Sequence, residues 1–228
     1  MFHGKLFMTN KNYRIFERLR VAVLLTFISG YIDAYTYHTQ GGRFAAAQTG
    51  NVIFLGISLA EKNMERALAY LIPIFMFSFG QWFNYLVRGY LSRHSIRWHA
   101  FSSMMMLSLL VFIILLTPLL PPIFTISSLS FFASMQVNTF KRLRGMPYAN
   151  VMMTGNIKNA AHLLVKGLVE KNKAYQKEAF LTYSVIVSFI IGIILSSLVT
   201  AYLEEHSLIF LLFPVGLVSY WLYCEDVK

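Results

Sequence analysis

Cysteine is nearly missing from this chain. Cys224 is the only one, so no disulfide can form within the chain and no multi-cysteine metal site can be built. Charge is also scarce: 13% of residues are charged, against about 25% in soluble globular domains. Paired carboxylates, a nucleophile with a matching base, and a glycine-rich phosphate loop are all lacking, and the histidines show no metal-ligand spacing. These absences argue against an enzyme and imply neither a metal nor a cofactor.

Apolar residues fill the space instead, at 57% of 228 residues. They fall in blocks, and a bilayer core of ~30 Å needs about 20 mostly apolar residues in a helix. Ala67–Val87, Ala100–Leu120, Ala179–Leu203 and Ser207–Tyr223 qualify directly. Val21–Tyr37 and Pro122–Phe140 are long enough but carry polar residues inside. The net charge of +10 sits beside or between these blocks, as juxtamembrane anchors on anionic lipid do. No basic module interleaved with aromatics is present, so nucleic acid is not an expected partner; the lipid bilayer is. The basic start, the apolar stretch and Ala45-Ala46-Ala47 imitate a cleaved leader. The leader would be too long, and a second copy of the pattern lies mid-chain, so the first segment is expected to stay.

That second copy is the most informative feature. Thr49-Gly50-Asn51 returns as Thr154-Gly155-Asn156, an offset of 105 that also sets Asp33 on Asn138 and Tyr35 on Phe140. Leu59-Ala60-Glu61-Lys62-Asn63 is echoed by Leu168-Val169-Glu170-Lys171-Asn172 at an offset of 109. Each half reads as a long helix with a buried polar residue, a loop, a Thr-Gly-Asn segment, and two apolar helices. One integrated membrane domain is expected, with a basic cytoplasmic segment at 1–20, repeats at 21–120 and 121–223, and a tail at 224–228. Gly30-Tyr31-Ile32-Asp33-Ala34, Gly41-Gly42-Arg43-Phe44 and Thr49-Gly50-Asn51, with Gln136, Asn138 and Thr154-Gly155-Asn156, resemble the two signatures of the YoaK-like family of bacterial membrane proteins. The resemblance implies a bacterial inner-membrane protein and carries no biochemical activity with it. Val151-Met152-Met153 departs from the Thr-rich run that precedes the family's second signature.

Basic residues set orientation. If all eight apolar segments cross, the Lys and Arg residues divide 12 inside to 7 outside, with Lys158 left in the membrane. If the two Thr-Gly-Asn segments enter and return, 17 lie inside and only Arg43, Lys62 and Arg66 lie outside. Thr49 to Ala60 is 12 residues, ~18 Å of helix and about half a bilayer. The expected fold is therefore an all-α polytopic bundle of two homologous halves. It has six full crossings, two re-entrant half-helices, inverted repeats and a cytoplasmic N-terminus. Eight crossings with parallel repeats are the alternative.

Asp33 is the sharpest candidate for chemistry. It lies 12 residues past Val21, ~18 Å along the helix and near mid-bilayer. A carboxylate there faces a bundle interior or wet cavity and is a candidate proton or cation site; the plainer role is helix packing. Thr49 and Thr154 have the chemistry to cap half-helices, Gly50 and Gly155 permit close approach, and Asn51 and Asn156 offer amides. Free N–H groups at such helix starts favour an anionic group. Gln81 and Asn84 share one face, and Asn138 answers Asp33. Lys158 and His162 read as an interfacial face, Met104–Met106 as lipid-facing packing, and Cys224 as an inert helix end. A small-solute permease, with protons as a candidate coupling partner, is the expected function. A non-transporting scaffold or assembly subunit is the rival, and an oligomer is compatible with either.

Overall fold

A computed structural model describes residues 13–94 and 97–225. Lys5, Lys11, Lys228 and much of the basic segment 1–20 lie outside the described residues. Among the described residues eight α-helices carry the fold: α1 Leu19–Thr39, α2 Gln48–Ala60, α3 Met64–Arg93, α4 Trp98–Leu116, α5 Pro122–Thr139, α6 Met153–Val169, α7 Lys173–Leu203 and α8 Leu212–Tyr223. A short hairpin, β1 Arg142–Leu143 and β2 Met146–Pro147, follows α5. The last two helices are joined by a 3-10 stretch at Glu204–Leu211. Among the described residues three stretches are long and apolar enough to cross a membrane: Leu19–Thr39, Trp98–Leu116 and Lys173–Tyr223, the last including both α7 and α8.

The Glu-Lys-Asn echo has a backbone cause. Lys62 (φ 57°) and Lys171 (φ 49°) both sit in the left-handed region and close the helix before them. Asn63 N–H returns to Ser58 O and Asn172 N–H to Gly167 O, both at 2.9 Å. Each is the six-to-one bond of a Schellman turn. The two asparagines then cap the next helix, accepting from Arg66 N at 3.0 Å and Ala174 N at 2.9 Å. One tripeptide thus ends a short helix and starts a long one, making hairpins of α2–α3 and α6–α7.

Helix packing follows a regular scheme. α1 packs on α7, α5 on α3, α2 on α3, α6 on α7, α4 on α5, α8 on α1, α4 on α8 and α1 on α5. Exchanging α1 with α5, α2 with α6, α3 with α7 and α4 with α8 returns these pairs, while the slighter α3–α4 contact has no α7–α8 counterpart of its size. Glycine lets α1 and α7 touch backbone to backbone: a Cβ on Gly30 would collide with the Phe189 carbonyl, and one on Gly192 with that of Phe27. Small residues that admit such approach are the usual adhesive between helices in lipid. The counterpart contact sets Gly80 of α3 against Ser134 of α5, where a Cβ would lie 2.7 Å from the serine Cβ.

The senses of the helices follow from their contacts. Ser188 Oγ donates to Val23 O and His38 meets Ser197, so α1 and α7 run the same way. Arg20 stacks over Trp221 while Tyr31 OH donates to Ser207 O, so α8 opposes α1. The start of α4 lies beside the start of α1, with Phe16 stacked on His99 at 3.6 Å. The chain leaving α5 arrives at the same end, where Arg144 N–H donates to Glu17 O. A buried cluster built on Leu25, Ile28, Tyr35, Leu110, Ile126, Phe132 and Val215 fills the centre. Met106 belongs to it at 2% exposure, which corrects the reading of the whole Met104–Met106 run as lipid-facing; Met104 does point outward. Half a helix turn, about two residues, separates outward from inward positions, so three consecutive methionines cannot share a fate.

Candidate functional site

After α1 the chain turns at Gly41 and Gly42 (φ 65° and 74°) and folds back along the helix it has just left. Asp33, 3% exposed, holds this return: its Oδ1 accepts from Ala46 N at 2.7 Å and Ala47 N at 3.1 Å. Thr36 Oγ1 accepts from Ala45 N at 3.2 Å. Asn51 clamps the loop from the other side, accepting from Phe44 N at 3.0 Å and donating to Phe44 O at 2.6 Å. The second half repeats the clamp in part, with Asn156 Nδ2 donating to Ala149 O at 2.7 Å. Both asparagines reach back seven residues, and Phe44 and Ala149 are themselves 105 apart.

The threonines do not cap. α2 begins after Ala47 and α6 after Met152, each without a side-chain cap bond, and Thr49 and Thr154 lie within the first turn. Asp33 holds the N–H groups of Ala46 and Ala47 just before α2, while Gln48 N and Gly50 N, at the helix start itself, donate to Ala46 O and Ala47 O. Gly50 gives close approach as expected, because a Cβ would lie 2.7 Å from the Phe44 ring. Gly155 does not; nothing lies within 4 Å of its Cβ position.

The two helix starts face each other across one cavity of about 460 Å³. Ala46, Ala47, Gln48 and Thr49 line it from the first half, and Val151, Met152, Met153 and Thr154 from the second. These four-residue sets match one for one at the offset of 105. Phe77 and Gln81 of α3, Val137 of α5 and Phe189 of α7 complete the wall. Phe77, Gln81 and Phe189 fall near the middle of 30- and 31-residue helices, so the cavity is central along the molecule.

Of the candidate residues, Thr49, Gln81 and Thr154 reach the cavity wall. Asp33 stands one layer back, behind the Ala46–Ala47 backbone that it holds. Gln81 is fully engaged: Nε2 donates to Ser134 O and Oγ at 3.1 and 2.9 Å, and Oε1 accepts from Asn138 Nδ2 at 2.9 Å. Asn84 turns back on its own helix, donating to Gly80 O at 2.7 Å. His162 lines a separate cavity of about 330 Å³ with Tyr148 and Glu178.

Sequence reasoning missed Ser134, Ser29 and Asn150, and named Gln136 only within the second signature, without a role. Ser134 Oγ donates to Phe77 O at 2.6 Å, and Gln136 Nε2 donates to Ser29 Oγ at 2.6 Å, tying α5 to α3 and to α1. Asn150 donates weakly to Gln136 O and Phe140 O. A signal existed for the serines, since Ser29 and Ser134 are 105 apart.

Long apolar helices around a buried polar centre, with side-chain hydrogen bonds between helices, define a helical, multi-pass membrane protein. Among the described residues no cluster of His, Cys, Asp or Glu suits a metal ion. The chain belongs to the family described as Protein of unknown function (DUF1275), which matches residues 21–221. No curated protein and no solved structure matches it.

Proposed function

We propose that the chain is a small-solute permease of the bacterial inner membrane, made of two inverted halves, whose solute binds in the central cavity. One observation carries the reading: the starts of α2 and α6, equivalent in sequence, open into a single cavity at mid-helix depth. Broken or half helices meeting at the midplane between inverted repeats are a recurrent plan of secondary transporters.

Helix senses support six crossings. α1 and α4 begin at the same end, so α2 and α3 together make one net crossing. At 30 residues, ~45 Å, α3 is the one that spans; α2, 13 residues and ~20 Å, enters and returns. The same argument applies to α6, since α5 ends where α1 begins and α7 runs with α1. Arg14, Arg18, Arg20, Arg97, Arg142 and Arg144 gather at that shared end, which favours a cytoplasmic N-terminus. The YoaK-like signatures at Thr49 and Thr154 fall at the two helix starts, in keeping with one shared site.

A specific observation favours the scaffold reading instead. Asp33, Asn51, Gln81, Asn138 and Asn156 all have partners within the chain. Thermal-shift screening of the purified full chain against a metabolite panel across pH separates the two. A permease gives stabilisation by at least one compound class, abolished in a folded Thr154→Trp that fills the cavity. Absence of any response, or one unchanged by Thr154→Trp, favours the scaffold.

A further inference from the structure

We propose that the cavity takes a small organic monoanion together with one proton, and that Asp33 is where the proton goes; this rests on the permease reading above. The two helix starts are electrically unequal. At α2, Ala46 and Ala47 N–H are held by the Asp33 carboxylate. At α6 the equivalent position is Asn138, which is uncharged and turned to Gln81 at 2.9 Å. The residue before α6, Met152, offers no side-chain cap. A helix start concentrates roughly half a positive charge. One of the two starts therefore meets the cavity with its charge compensated and the other without. A carboxylate in the cavity would do at α6 what Asp33 does at α2.

Asp33 also supplies the second observation. Oδ1 carries both backbone bonds, while Oδ2 is fully buried and has no partner among the described residues. An anion entering the cavity brings a second negative charge to within one backbone layer of this carboxylate. In a low-dielectric interior that repulsion is costly. Protonation of Oδ2 removes it: the carboxylate becomes a carboxylic acid, no other bond changes, and the anion keeps its charge. The site then holds the same net charge before and after loading. Because each event favours the other, proton and anion binding are reciprocally coupled. Ala46 and Ala47, whose N–H groups Asp33 holds, line the cavity, so its charge state acts on the binding surface across one backbone layer.

Charged or titratable groups on the surrounding elements include Tyr31, Tyr35 and His38 on α1, Arg43 in the return loop, Tyr70 on α3, Lys158 on α6, and Glu204 and Glu205 after α7. Among the described residues none of them bonds to Asp33. Phe77, Val137, Val151, Met152 and Phe189 give the rest of the wall an apolar surface, which suits a monocarboxylate with an apolar body.

The test uses the purified full-length protein with butyrate and benzoate as probes, and butyramide and benzamide as uncharged counterparts. Calorimetric titration in buffers of different ionisation enthalpy counts protons. The expected result is that the acids bind at least about tenfold more tightly than the amides, with one proton taken up per anion. Affinity should fall about tenfold per pH unit where Asp33 is ionised and the probe stays fully ionised. Asp33→Asn should keep acid binding, take up no proton and lose the pH slope. Wild-type binding without proton uptake overturns the inference, as does an unchanged slope in Asp33→Asn. Should that variant fail to fold, the wild-type proton count decides alone. Amides that match the acids and are lost in Thr154→Trp overturn the anion claim while leaving the permease reading intact. No binding by either class overturns the anion claim as well, and the metabolite screen then judges the permease separately.

Discussion

Asp33 holds the backbone return after α1 together with Thr36 and Asn51. Truncating it to alanine strands two buried N–H groups, each worth about 1–3 kcal/mol when unsatisfied. Asp33→Ala should therefore lower stability by about 2–5 kcal/mol, whereas Asp33→Asn keeps an acceptor oxygen and should lose less than half as much. Denaturant titration in detergent checks the ranking, and equal losses for both variants would contradict the bonding described. Asp33 was legible from the sequence because a carboxylate amid apolar residues has few innocent explanations. Its partners were not legible. They are backbone groups 13 and 14 residues downstream, reached only because the loop doubles back. Thr49 and Thr154, the local candidates for a cap, make no cap bond, and the anchor that the sequence hides is the one Asp33 makes to the loop before α2.

Among the elements, the Glu-Lys-Asn turns and the glycine contacts control how helices meet. Asn63→Ala and Asn172→Ala should each cost about 1 kcal/mol, the usual worth of an N-cap. Similar losses at the two sites would reflect their matching geometry, and a loss at only one would set the turns apart. Gly30→Ala and Gly192→Ala press a methyl into a backbone carbonyl and should cost at least about 1–3 kcal/mol, the range for overpacked interiors. Gly155→Ala meets open space and should cost less than either. Thermal unfolding of the three variants side by side checks the order. The Glu-Lys-Asn echo was visible in the sequence because both turns use the same residues. The Gly30–Phe189 and Gly192–Phe27 contacts were not, since nothing local states which helix a glycine will face.

Across the whole molecule, Ala46–Thr49 and Val151–Thr154, which match at an offset of 105, line one central cavity. Charge in the sequence favours re-entrant segments, and the proposal rests as well on the common starting end of α1 and α4. Which residues reach the cavity could not be read in advance: Gln81 and Thr154 do, while Asn84 and Asn138 are spent on helix contacts. The account turns on α2 and α6 entering and returning rather than crossing. Single cysteines at positions 62, 93 and 173, in a Cys224→Ser background, test this with a membrane-impermeant thiol reagent on intact cells. Re-entry predicts labelling at 62 and none at 93 or 173 until the cells are permeabilised. Labelling at 93 with protection at 62 is the pattern of eight crossings and would contradict the account.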